Sequence, residues 1–211
     1  LESQLPTGKG MAASTADIVA VIQAVATAID EELEPEEIAE IAAGIEPTDG
    51  IFYPGIVQMN YMTGELIKSY GNAPKMIIAM FDMGGSINTV EFHSEYHGHE
   101  DSPKELLEAI DQLDVDFSPR QIAHVATLSA LANQKLVPKP HLEEIIKYSA
   151  TLGALGVNVA HSGTMVGVLF APDESMKHVM EAVEKIREKF PELEYFETER
   201  LISGGYDIEQ R

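Results

Sequence analysis

Three short runs hold the residue types and spacings that could do chemistry. The first lies near the start: Pro6-Thr7-Gly8-Lys9-Gly10-Met11-Ala12-Ala13-Ser14-Thr15 leads into a strongly helical stretch. Gly8 and Gly10 let the backbone turn sharply and approach a ligand closely, and the helix behind them offers free N–H groups and the positive end of its dipole. A phosphate suits such an end, and a hydroxyl at Ser14 or Thr15 can reach Mg²⁺. The same composition also serves an ordinary glycine turn with Ser14 as the helix cap. The second run is Glu46-Pro47-Thr48-Asp49-Gly50. Fixed in such a turn, Asp49 can accept a proton from a hydroxyl, or it can be an Asx-type residue facing solvent. In the third, Asn158-Val159-Ala160-His161-Ser162-Gly163-Thr164, a Ser-Gly-Thr turn between apolar strands offers backbone donors to a ligand or simply closes a hairpin.

Spacing excludes two common nucleotide loops. A Walker loop needs Gly-Lys followed directly by Ser or Thr and an earlier glycine, whereas Lys9 is followed by Gly10. A dinucleotide fingerprint needs a third glycine that is missing here. His93, Glu95, His97 and His99 recur at every second residue, so an extended segment would align them as transition-metal ligands. With Gly98 and acidic neighbours the segment also reads as a solvated connector. His161 has no base partner evident in the sequence, and no nucleophile elbow is present.

The elements that must position these residues follow from periodicity. Ile18, Val21, Ile22, Val25 and Ile29 recur at helical spacing, predicting a helix over 13–32. Pro35 opens a second helix to about Ala43, with Gly44 just past its end. Residues 56–61 alternate as a strand, and 76–92 read as strand, Gly84-Gly85 turn and strand. Ser102-Pro103-Lys104-Glu105 and Ser118-Pro119-Arg120-Gln121 are capping-box patterns, the second opening a helix to about Lys135. Pro140 starts another helix to about Leu152. Strands are expected at 156–160, 165–171 and 194–202, with a helix between Asp173, its expected cap, and Phe190. Helices against an antiparallel sheet make this half α+β. The domain boundary falls near residue 100, giving 1–100 and 101–211.

Bulk properties narrow the class of partner. The 211 residues include 14 basic and 35 acidic side chains, a formal net charge of -21. That field repels nucleic acid and anionic membranes, so a bound phosphate must be held by local backbone dipoles. Zero cysteines exclude disulfides and thiol catalysis. No apolar run is long enough for a membrane helix and no signal-peptide pattern opens the chain, so the expected setting is cytoplasmic.

Taken in order, the three runs resemble the motifs of the GHMP kinases. Pro6-x-Gly8-x-Gly10-Met11-Ala12-Ala13-Ser14 is similar to that family's second, phosphate-binding motif, and Ser162-Gly163-Thr164 to its third, glycine-rich motif. Glu46–Gly50 looks like the segment carrying the catalytic Asp of the mevalonate kinase branch. Within the family, Gly-Lys-Gly-Met-Ala-x-Ser-Thr-Ala-Asp at 8–17 and Ala-His-Ser-Gly-Thr at 160–164 are most similar to the L-threonine kinases of cobalamin synthesis. Ala13 departs from the Ser-Ser pair of many members. The resemblance implies a two-domain α+β fold: a ribosomal-protein-like α/β domain, here its remainder, and a ferredoxin-like C-terminal domain.

The resemblance also implies an activity. ATP-dependent phosphorylation of a small-molecule hydroxyl is expected, with L-threonine as the favoured substrate and O-phospho-L-threonine as product. Homoserine or mevalonate kinase activity and a non-catalytic metabolite-binding role are the alternatives. Pro6, Gly8, Lys9, Gly10, Met11, Ala12, Ala13, Ser14 and Thr15 would line the ATP phosphates, and Ser14 would contact Mg²⁺. Asp49 would be the catalytic base, Ser162, Gly163 and Thr164 would lie on the substrate side, and Glu40 or Glu37 could give a second metal contact. A homodimer is left open. The family's first motif and opening strands would precede Pro6, so the chain reads as part of a longer kinase. An open apolar edge beside 76–92 is expected on that reading.

Overall fold

The helical periodicity at the N-terminus becomes α1, Ala13–Ala28. It stops short of residue 32 because Asp30 turns left-handed, with φ 59°, and the acidic residues that follow are disfavoured at the negative end of a helix dipole. The computed structural model describes residues 2–85 and 102–206. His93, Glu95, His97, His99 and the second strand expected within 76–92 lie outside the described residues. The chain divides into two units.

The first unit takes in residues 2–7, 11–73 and 202–206. Its second helix, α2 (Pro35–Ile45), begins in a capping box between Glu34 and Glu37. Gly44 lies inside this helix rather than past its end. Termination comes at Glu46, which is extended, as expected of a residue before proline. The strands β1 (Ile56–Met59) and β2 (Leu66–Gly71) form an antiparallel pair. Val19, Ile38, Ala39, Ala42, Phe52 and Tyr53 make the core, and the Tyr206 hydroxyl donates to the Leu33 carbonyl at 3.2 Å. The apolar stripe at helical spacing is not wholly buried: Val21, Val25 and Ile29 are 52%, 56% and 65% exposed.

The second unit contains residues 8–10 and 74–201. Its sheet is built from β3 (Ile77–Asp82), β4 (Gly156–Val159), β5 (Met165–Phe170) and β6 (Glu194–Arg200) in the order β4-β5-β3-β6. All neighbours run antiparallel. With α3 (Lys104–Asp111), α4 (Pro119–Ala132) and α5 (Leu142–Thr151) between β3 and β4, and α6 (Met176–Lys189) between β5 and β6, this is a ferredoxin-like split βαβ arrangement. β3 precedes residue 100, yet it runs in the middle of this sheet, paired on both sides. The open edge expected beside it is therefore absent among the described residues. Every residue of β5 is buried, which suits a continuous apolar run in a covered sheet.

Helix starts follow chemistry slightly different from the expected boxes. Ser118 Oγ accepts the Gln121 N–H at 3.2 Å, but the Gln121 amide donates to the Ala109 carbonyl at 3.0 Å, so only half of that box forms. Pro103 precedes α3 with no side-chain cap. Left-handed His141, not Pro140, leads into α5. Ser175 rather than Asp173 caps α6, accepting the His178 N–H at 3.1 Å. No helix among the described residues is long and apolar enough to cross a membrane.

Candidate functional site

In the second unit the Gly8–Gly10 loop is docked on the turn between β4 and β5. Gly8 and Gly10 take φ of 75° and 77°, a region other residues enter only with strain. The Lys9 carbonyl accepts the Thr164 N–H at 3.1 Å and the Met165 N–H at 3.3 Å. Contact is close enough that a Cβ on Gly163 would fall onto the Lys9 carbonyl and the Gly10 nitrogen. A Cβ on Gly10 would lie 2.8 Å from the Gly163 Cα. Two of the sequence motifs thus meet backbone to backbone, which explains why both are glycine-rich.

The Lys9 side chain is neither a free point charge nor a solvated loop lysine. Its ammonium lies 2.5 Å from Asp82 Oδ2 and donates to the Gly85 carbonyl at 2.7 Å. Asp82 Oδ1 also accepts from Thr164 Oγ1 at 2.6 Å and from the Gly84 N–H at 3.0 Å. Burial alone would raise the Asp82 carboxyl, but the hydrogen bonds from Lys9, Thr164 and Gly84, with the Lys9 charge, hold it below the usual carboxylate range.

In the first unit, α1 starts from left-handed Ala12 (φ 56°) with no side-chain cap and no acidic residue in its first turn. Ser14 is exposed and is not the cap. The N-terminal N–H groups and dipole of α1 therefore face no competing carboxylate from the helix's first turn. Thr15 is buried, and its Oγ1 accepts the Asp49 N–H at 3.2 Å and the Thr48 hydroxyl at 3.4 Å. The Thr48 N–H in turn donates to the Tyr61 carbonyl at 2.9 Å. Asp49 is itself exposed, and its backbone N–H is pinned to α1 through Thr15. Two sequence-selected segments, α1 and 46–50, are joined by one threonine.

Other placements are plainer. Pro6, Met11, Ala12, Ala13 and Ser162 are half-buried, and Gly163 and Thr164 are buried. Glu37 is occupied as the reciprocal arm of the α2 capping box, while Glu40 is exposed. Among the described residues no group of three His, Asp or Glu side chains is arranged to hold a metal. His161 Nε2 lies 3.0 Å from Ser129 Oγ, and its carbonyl accepts from Asn133 Nδ2 at 3.1 Å. Sequence reasoning missed Asp82, Ser129 and Asn133. For Asp82 a signal existed: an acid ending an apolar strand just before Gly84-Gly85.

Comparison with known proteins finds two family matches. Residues 1–52 match the family model for the GHMP kinases N terminal domain, and residues 106–189 match that for GHMP kinases C terminal. An L-threonine kinase of Citrobacter freundii is 24% identical over 220 residues, covering 99% of this chain and 74% of its own length. An L-threonine kinase of Salmonella typhimurium is 26% identical over 174 residues, covering 80% of this chain, which spans 58% of that relative. The crystal structure of Methanococcus jannaschii mevalonate kinase superposes with a TM-score of 0.67 at 18% identity, covering 95% of this chain and 67% of that one. At that identity the likeness concerns the fold.

Proposed function

Because the chain belongs to the GHMP kinases, we propose that it transfers the γ-phosphoryl group of ATP to the hydroxyl of L-threonine, giving O-phospho-L-threonine for cobalamin side-chain synthesis in the cytoplasm. The observation that carries the reading is the uncapped N-terminus of α1 directly following the Gly8–Gly10 loop. Backbone N–H groups of Lys9–Ala13 receive the ATP phosphates, which the protein's net charge of -21 would otherwise repel. Asp49 accepts or orients the proton of the substrate hydroxyl. That oxygen forms a bond to the γ-phosphorus as the bond to the β-phosphate bridging oxygen breaks, and ADP leaves. Ser162, Gly163 and Thr164 serve the substrate side.

Mg²⁺ would offset charge on the transferring group. The residues present fit an ion held mainly by phosphate oxygens and water: Ser14 presents one exposed hydroxyl, and no three-ligand cage exists among the described residues. Ser14→Ala is expected to raise the magnesium concentration for half-maximal activity about fivefold, one neutral oxygen ligand being lost among several. An unchanged magnesium titration would remove Ser14 from that role.

The substrate assignment follows the two threonine kinase relatives. It is tested by ATP consumption with threonine, serine, homoserine and mevalonate. Threonine should exceed homoserine by at least about tenfold in kcat/KM, because a site built around one hydroxyl position penalises its isomer. Preference for homoserine or mevalonate would overturn the threonine reading, and ATP binding without turnover would favour a metabolite-binding role.

A further inference from the structure

Asp82 belongs to none of the motifs that point to a kinase, yet it joins two of them. One carboxylate oxygen meets the Lys9 ammonium; the other accepts from Thr164 Oγ1 and the Gly84 N–H. Lys9 is the sole side chain beyond Cα in the Gly8–Gly10 loop, so it is the one handle by which a side chain can hold that loop. Its two flanking glycines have the widest conformational freedom of any residue, so the Lys9 tie adds to the backbone hydrogen bonds from Thr164 and Met165 in holding the loop to one shape.

Charge gives the second line of argument. Lys9 and Asp82 form a neutral pair, so together they add little net attraction for a nucleotide. In a chain of net charge -21, an ammonium left in the loop without Asp82 would be the more attractive arrangement if charge were what mattered. The structure instead commits the ammonium to Asp82 and to the Gly85 carbonyl. What the pair supplies is geometry: a loop already held in one shape before the phosphate arrives, which lowers the ordering cost of binding.

We propose that Asp82 is a positioning residue for nucleotide binding, fixing the Gly8–Gly10 loop through Lys9 and the receiving turn through Thr164. This rests on the reading of the loop as an ATP site. The test is calorimetric binding of a non-hydrolysable ATP analogue to the wild type, Asp82→Asn, Lys9→Met and the double variant, with steady-state kinetics alongside. Asp82→Asn should bind the analogue about tenfold more weakly and raise the KM for ATP equally, while kcat at saturating ATP stays within about threefold. The double variant should be no weaker than the weaker single, since both remove the same tie. Asp82→Glu should recover part of the loss. Unchanged or tighter binding by Asp82→Asn would overturn the proposal, the tighter result meaning that Asp82 competes with ATP for Lys9; so would additive losses in the double variant. Thr164→Val, which keeps the ion pair and loses one hydroxyl donor, should weaken binding about threefold, and equal affinity there counts against the proposal if Asp82→Asn does not fold. Failure of the wild type itself to bind the analogue overturns the ATP reading, and this inference with it.

Discussion

Asp49→Asn is expected to lower kcat about a thousandfold while leaving affinity for an ATP analogue within about threefold. Proton acceptance by a positioned carboxylate contributes on the order of 10² to 10⁴ in rate, and the amide keeps the size of the side chain while losing its basicity. The substitution keeps the backbone tie of this turn: the Asp49 N–H donates to Thr15 Oγ1 at 3.2 Å, and Asn offers the same N–H. Thr48, buried beside it, keeps its own tie to the Tyr61 carbonyl. A loss confined to kcat, read from single-turnover rates and calorimetric binding, would mark Asp49 as the group touching the reacting hydroxyl. Retained turnover would remove it from that role, and joint loss of turnover and melting temperature would assign the residue to the fold.

How much of this was legible beforehand depended on whether backbone or side chains carried the information. The glycine turn at 8–10, the turn at 162–164 and β5 were readable as backbone shapes, because glycine spacing marks turns and an apolar run marks a strand, while the role of each turn stayed open. β2 was not: its half-buried positions are Leu66, Lys68 and Tyr70, and exposed Ile67 sits among the opposite set, so polarity does not alternate with exposure. The α1 stripe was legible as a helix but misleading about burial. Val21, Val25 and Ile29 have the right spacing for a core, yet the buried positions are Thr15, Val19 and Ala26. Periodicity gives the helix and not the face that is covered. Thr15 shows the same limit from the other side, since a hydroxyl in a first helical turn can serve a metal, a cap or, as here, a neighbouring turn. Asp82 carried a local signal, an acid ending an apolar strand just before Gly84-Gly85, but its role shows only through pairing, because its partners Lys9 and Thr164 are distant in sequence and each has an innocent local reading.

Gly163→Ala should cost about 2 kcal/mol at the loop and weaken binding of an ATP analogue about thirtyfold. The added methyl has nowhere to go: it would fall on the Lys9 carbonyl and the Gly10 nitrogen, and both are backbone, so no rotamer change relieves the overlap. The loop must lift from the turn, and the hydrogen bonds from Thr164 and Met165 to the Lys9 carbonyl are lost at about 1 kcal/mol each. Two such bonds amount to about a thirtyfold change in an equilibrium. The rest of the unit is insulated from this, because β5 stays paired with β3 and β4, so the melting temperature should fall by only a few degrees. Gly44→Ala makes the contrasting control. It lies inside α2 with nothing within 4 Å of the new methyl, and should be neutral or stabilising by about 0.5–1 kcal/mol through helix propensity. Normal nucleotide affinity in Gly163→Ala would mean that the docked shape of the Gly8–Gly10 loop is not the one that receives phosphate. A collapse in stability with no separate binding defect would mean that the loop–turn contact holds the fold rather than the ligand.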